Sequence, residues 1–195
     1  ALRLRGESVS ADGYDQAKSV LKIVVGLAAM FEGIGILLLM FAFVPQFGPE
    51  GVWISVFTAI SAFCNAGFDL FGRFGAYSSL VPYVNNYYVQ AVIIFMIISG
   101  GLGFMVWVEL CQWYKKRRLS LHAKVVLFMS LVLTAAGTVL LKLTEDITWM
   151  GAFFTSVSAR TAGFSTFPLG SFSGAGLLTV IVLMVIGASP GSTGG

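Results

Sequence analysis

The chain has 195 residues, of which 57% are hydrophobic and 11% charged, with a mean hydropathy of +0.88. A soluble domain carries roughly 25% charged residues, so this composition excludes intrinsic disorder, a nucleic-acid-binding module and most soluble enzyme folds. With 23 Gly and 17 Phe it points to an all-α polytopic membrane protein, in which the net charge of +3 matters through where the basic residues lie.

Residues 1–22 are polar and lack the apolar core of a cleavable leader, which makes them an expected cytoplasmic approach segment. The first residue is not Met and the last residues, GASPGSTGG, lie inside an apolar helix, as expected of a fragment of a longer chain. A hydrocarbon core of about 30 Å needs about 20 apolar residues as a helix, whereas runs of 10 to 14 are re-entrant or interfacial. By that length test residues 23–44 and 87–110 are predicted spans, and 125–141 is a short one that Lys142 can lengthen by snorkelling. Residues 52–64 and 149–159 would extend only about 20 Å and 16 Å, halfway through a bilayer. Residues 175–188 would extend about 21 Å before a Ser/Pro/Gly stretch ends them.

Orientation follows from charge. Arg3, Arg5, Lys18, Lys22, Lys115, Lys116, Arg117, Arg118 and Lys124 fall on one side of the predicted spans, against Arg73, Lys142 and Arg160 on the other. The basic excess places the N-terminus and the 115–124 loop in the cytoplasm, and residues 115–118 read as topogenic charge rather than as a lipid or partner site. Cys64 and Cys111 then lie on opposite sides and are expected to be unpaired.

The two half-spans align at an offset of 96 residues. Trp53, Phe57, Ala66, Gly67, Phe68 and Phe71 fall on Trp149, Phe153, Ala162, Gly163, Phe164 and Phe167. Residues 92–96 (VIIFM) match 180–184 (VIVLM) once the connecting loop is shortened by eight. The repeated unit is span, half-span, glycine turn, span. It divides the chain into a first repeat at 23–114, a basic loop at 115–124 and a second repeat at 125–195. Irregular backbone at membrane depth is tolerated only where protein or a water-filled cavity satisfies it. A half-helix that ends in a side-chain-poor turn leaves carbonyls free to replace the hydration shell of a cation, and its C-terminal dipole favours positive charge. Such a site needs no acid, base or metal-ligand cluster.

Asn65-Ala66-Gly67-Phe68, the Arg160–Thr166 stretch RTAGFST and the terminal GASPGSTGG together resemble the second and third repeats of the Trk/Ktr/HKT potassium-uptake superfamily, most closely its Ktr-type membrane subunits. The resemblance implies four such repeats around one pore. It implies an ion filter at Asn65, Ala66, Gly67, Phe68, Thr161, Ala162, Gly163 and Phe164, with K+ held by backbone carbonyls, and a gate loop formed by Gly187, Ala188, Ser189, Pro190, Gly191, Ser192, Thr193, Gly194 and Gly195. It further implies a bacterial cell-membrane location, a homodimer and a cytosolic nucleotide-binding regulatory subunit, with no cofactor in this chain. A sodium or sodium-coupled transporter on the same scaffold, or a non-conducting scaffold that docks a cytoplasmic partner, are the competing readings.

Several residues stand apart. Glu32, in mid-span, is either a functional carboxyl or one bonded to a neighbouring backbone. Arg160, beside the second turn, needs a carboxylate or carbonyls to hold it. Asp69 can raise the local cation concentration. Gly100, Gly101 and Gly103 suit close packing. His122 reads as a surface residue, and with no nucleophile and base pair in view the chain is not expected to be an enzyme.

Overall fold

The computed structural model describes residues 2–73, 75, 78–116 and 118–194, with side chains described at 18, 21–73, 75, 78–113 and 118–194. The elements are α1 (Leu2–Phe47), α2 (Pro49–Phe63), α3 (Tyr87–Gly101), α4 (Phe104–Lys116), α5 (Leu121–Thr144), α6 (Trp149–Thr161) and α7 (Gly174–Ile186), with short 3-10 turns at Phe71–Arg73, Val81–Tyr83 and Leu169–Ser171. No strand occurs among the described residues. Leu21–Phe47, with 27 residues, and α5, with 24, are long and apolar enough to cross a membrane. Residues 2–22 continue helically into the first span. The side chains of Arg3, Arg5, Lys115 and Lys116, like the whole of Arg117, lie outside the described residues.

Local chemistry sets the helix starts. Gly48, at φ 61°, reverses the chain after α1, and Pro49 opens α2 with the φ that a first helical position needs. Asn86, Ser120, Thr148 and Ser173 cap α3, α5, α6 and α7 by accepting from the backbone N–H three residues on. The half-helices thus begin at fixed points and end at the glycine turns, α2 at Phe63 and α6 at Thr161.

Residues 87–110, expected as one span, instead form α3 and α4 bent by 97°. Gly103 adopts φ 89°, a conformation that costs a residue with a side chain. The groups released by the bend find partners: the carbonyls of Gly100 and Gly101 accept from the N–H groups of Thr193 and Ser189, and the Phe104 N–H donates to the Gly191 carbonyl. Trp107 Nε1 donates back to the Ser99 carbonyl at 2.8 Å, which holds α4 across the end of α3. Gly191, itself at φ 73°, follows Gly103 by the same 88 residues that separate the two matched apolar runs, and α7 has ended before it at Ile186.

Aromatic rings fill the space around α1. Phe31 packs on Phe63 at 5.8 Å and on Trp107 at 4.5 Å between ring centres. Phe43, Phe71 and Tyr83 form a triangle with sides of 5.6, 5.3 and 5.3 Å. The first group clamps the end of α2 against α1 and α4. The second clamps the loop that follows the first glycine turn, where the Tyr83 hydroxyl also donates to Gln46 at 2.8 Å.

Candidate functional site

Each half-helix unwinds through the backbone bonds of its last turn. After α2, the Ala66 N–H returns to the Ser61 carbonyl at 2.9 Å, Asn65 takes φ 51° and Gly67 takes φ 74°. Asn is among the few side-chain-bearing residues that visit this left-handed region readily. After α6, the N–H groups of Ala162 and Gly163 share the Ser158 carbonyl at 2.9 and 3.0 Å, and Gly163 takes φ 81°. The glycines matched by the repeat therefore adopt matched backbone conformations.

Each turn is pinned by a serine that sequence reasoning passed over. Ser61 Oγ donates to the Phe68 carbonyl and Ser158 Oγ to the Phe164 carbonyl, both at 2.6 Å. The two serines sit one place apart in the repeat alignment, so identity alone did not pair them, yet both reach the carbonyl just past the glycine. With Phe68 and Phe164 engaged, the carbonyls of Asn65, Ala66, Gly67, Ala162 and Gly163 accept no hydrogen bond from the described residues. These oxygens are available to a cation.

The two turns touch. Thr161 Oγ1 donates to Asn65 Oδ1 at 2.9 Å, and an ideal Cβ on Gly67 would stand 1.9 Å from the Ala162 carbonyl oxygen. Asn65, Ala162 and Phe164 are buried, whereas Phe68 is 70% exposed.

The loop after α7 lies against the same residues. Gly187 ends the helix at φ 66°, and its carbonyl accepts from Arg160 Nε at 3.2 Å. A carbonyl therefore holds Arg160, one of the two kinds of partner expected from the sequence. Ser189 is buried and Pro190 exposed. Thr193 Oγ1 donates to the Phe63 carbonyl at 2.7 Å and accepts from Asn65 Nδ2 at 2.9 Å. A Cβ on Gly194 would meet the side chains of Ala188 and Thr161, each at 2.9 Å. Gly195 lies outside the described residues. The loop is thus joined to both glycine turns and to the end of α3, where bare Gly100 leaves room for it.

Other expectations resolve plainly. The contact of Glu32 is the Cys64 thiol, at 3.8 Å, rather than a neighbouring backbone. Asp69 accepts from the Phe71 N–H within its own loop at 2.9 Å. Cys64 and Cys111 are both free thiols, and His122 is exposed. Glu50 and Arg73 form an ion pair that the sequence did not announce, and the hydrogen bond from Arg73 holds the Glu50 carboxyl below its usual range. No group of three or more His, Cys, Asp or Glu gathers among the described residues.

A family model described as TrkH, cation transport protein, matches residues 3–148 and again 121–195. The chain belongs to this family. TrkH proteins are transporters rather than enzymes, as the sequence led one to expect. Among relatives, the potassium/sodium uptake protein NtpJ of Enterococcus hirae is 36% identical over 93% of this chain and 42% of its own length. The Ktr system potassium uptake protein B of Vibrio alginolyticus is 36% identical over 100% of this chain and 46% of its own. Its namesake from Bacillus subtilis is 33% identical over 89% and 41%. The chain spans less than half the length of these relatives.

Proposed function

We propose that this TrkH-family chain contributes two of the repeats of a potassium-translocating membrane subunit of the Trk/Ktr type. The observation that carries the reading is the pair of matched left-handed glycines, Gly67 and Gly163, each followed by a carbonyl pinned by a serine and each leaving the carbonyls before it unengaged. Dehydrating a cation costs its hydration energy, and preorganised carbonyl oxygens in protein offset that cost. Within the filter stretches Asn65 to Phe68 and Thr161 to Phe164, the carbonyls of Asn65, Ala66, Gly67, Ala162 and Gly163 supply those oxygens, while those of Phe68 and Phe164 are held by Ser61 and Ser158. Residues 187–195 form the gate, since they are joined to the turns through Thr193 and Arg160.

The protein is a multi-pass resident of the bacterial cell membrane, with its N-terminus and the 115–124 loop in the cytoplasm. It works as a homodimer with a cytosolic nucleotide-binding regulatory subunit. Relatives named as parts of a Ktr system support the existence of further components. A sodium-linked variant of the function has its own support, because one relative is named a potassium/sodium uptake protein.

The test is potassium uptake by the full-length parent protein in cells stripped of their own potassium transporters, with and without sodium. Restored uptake carries the reading, and dependence on sodium selects the coupled variant. Expression in the membrane without any flux would leave the non-conducting scaffold.

A further inference from the structure

We propose that Asn65 is a coupling residue: its carboxamide latches the gate loop to the glycine turn of the other repeat, so that the loop cannot leave without disturbing the filter. The proposal rests on the filter and gate reading above.

The hydrogen bonds run in one direction. The Thr161 hydroxyl donates to Asn65 Oδ1 at 2.9 Å, Asn65 Nδ2 donates to Thr193 Oγ1 at 2.9 Å, and the Thr193 hydroxyl donates to the Phe63 carbonyl at 2.7 Å. Each link polarises the next, as in other buried polar chains. A carboxamide accepts at one end, here from the Thr161 hydroxyl, while it donates from the other to Thr193. A carboxylate at 65 would lose the donor, and a hydroxyl would be too short to reach both partners. Asn65 is 7% exposed, and its left-handed φ of 51° sets the direction in which the side chain leaves the backbone.

The surroundings leave no slack. A Cβ on Gly100 would lie 1.9 Å from the Phe63 carbonyl oxygen, 2.6 Å from Thr193 Oγ1 and 2.9 Å from Asn65 Nδ2. When the loop departs, Thr193 is withdrawn from both Asn65 and Phe63. Asn65 Nδ2 is left with the Phe63 carbonyl, now 3.4 Å away, and must move to shorten that bond. Because Oδ1 of the same group holds Thr161, the movement is transmitted to the first residue of the second filter turn. Asn65 and Thr161 occupy the same place in the two repeats, so the latch also joins one turn to the other.

The experiment uses the full-length protein in proteoliposomes with Cys64→Ser and Cys111→Ser, and with Ser192→Cys as a reporter of loop opening. Thr161→Val and Thr193→Val are made singly and together, with Asn65 intact and with Asn65→Ala. Reporter labelling by a water-soluble maleimide and maximum potassium uptake are both normalised to folded protein. We expect Thr193→Val to speed labelling roughly three- to tenfold, the shift of one lost hydrogen bond, and Thr193→Ser to restore the original rate. With Asn65 intact, the two valine substitutions should combine to clearly less than the product of their separate effects. With Asn65→Ala, they should multiply independently. Independent effects with Asn65 intact, or a Thr193→Ser protein that behaves like Thr193→Val, would overturn the coupling while the gate stands. The gate reading itself fails separately if deleting residues 189–193 changes neither labelling of a reporter cysteine placed at Thr161 nor uptake.

Discussion

Gly67 faces the backbone carbonyl of Ala162 so closely that a Cβ on it would stand 1.9 Å from the oxygen, whereas a Cβ on Gly163 would meet nothing within 4 Å. The two turns match in conformation and differ in crowding. Backbone oxygen cannot swing away as a flexible side chain can, so a substitution at Gly67 must displace the second turn. At Gly163 a side chain meets only the strain of φ 81°, about 1–2 kcal/mol. We therefore predict that Gly163→Ser lowers the preference for potassium over sodium while the amount of folded protein stays near that of the wild type. Gly67→Ser should reduce both. From the sequence the two changes look equivalent, with protein level little affected in either. Uptake ratios together with quantified membrane protein separate the cases, and equal behaviour of the two variants would contradict the packing argument.

Ser61 and Ser158 should matter through one bond each. Both serines are buried, at 6% and 1% exposure, and removing either hydroxyl frees the carbonyl that follows its glycine. Ser61→Ala and Ser158→Ala should each lower thermal stability by about 1 kcal/mol and weaken potassium preference. The serines lie in separate turns with no shared partner, so the double variant should come near the sum. An unchanged ion preference in both would mean that the pinned carbonyls do not shape the pathway.

Shortening residues 189–193 removes the N–H groups that cap the carbonyls of Gly100 and Gly101 and removes Thr193 from Asn65. If the loop blocks the pathway, the maximum rate of potassium uptake rises severalfold per folded molecule, and the loss of Thr193 from Asn65 lowers the preference for potassium at the same time. If the loop only braces the bend between α3 and α4, uptake and folded protein fall in parallel.

Topology can be read with single cysteines in a background lacking Cys64 and Cys111. Arg118→Cys should be labelled from the cytoplasm, and Ser78→Cys and Asp146→Cys from outside. Asp146 is preferable to its neighbour Glu145, whose carboxylate accepts from the N–H and hydroxyl of Ser173 at 2.9 and 2.6 Å and so caps the start of α7. Labelling of all three from one face would end the repeat model.

The Glu50–Arg73 pair carries a pH dependence of known sign. Arg73 depresses the folded-state pKa of Glu50, so the pair's contribution is present above the ordinary carboxylate value of 4.5 and is lost as pH falls through the depressed one. Glu50→Gln should lower the thermal midpoint slightly at pH 7, and the difference from wild type should shrink as pH falls below 4.5 and vanish once the Glu50 carboxyl is protonated in the folded state as well. A difference that persists in acid would assign the effect to packing.

What the sequence determined by itself is the set of properties that are local or additive along the chain. The length of an apolar run against the thickness of a bilayer separated residues 52–64 and 149–159 from full spans, and the structure has α2 and α6 as 15- and 13-residue helices. The repeat at offset 96 placed Gly67 and Gly163 together before any coordinate did, because the left-handed turn they make demands glycine wherever it occurs. Which glycines break a helix was not legible. Gly33 and Gly35 lie inside α1, which runs on through them, and Gly35 merely makes room for Met96. Gly100, Gly101 and Gly103 stand at a bend of 97°. The difference is tertiary: at the bend, Ser189, Gly191 and Thr193 supply the donors and acceptor that the opened backbone needs, and nothing comparable approaches α1 at Gly33. For the same reason the links among Thr161, Asn65 and Thr193 were invisible, since they join residues 96 and 128 positions apart whose meeting depends on how the two repeats dock.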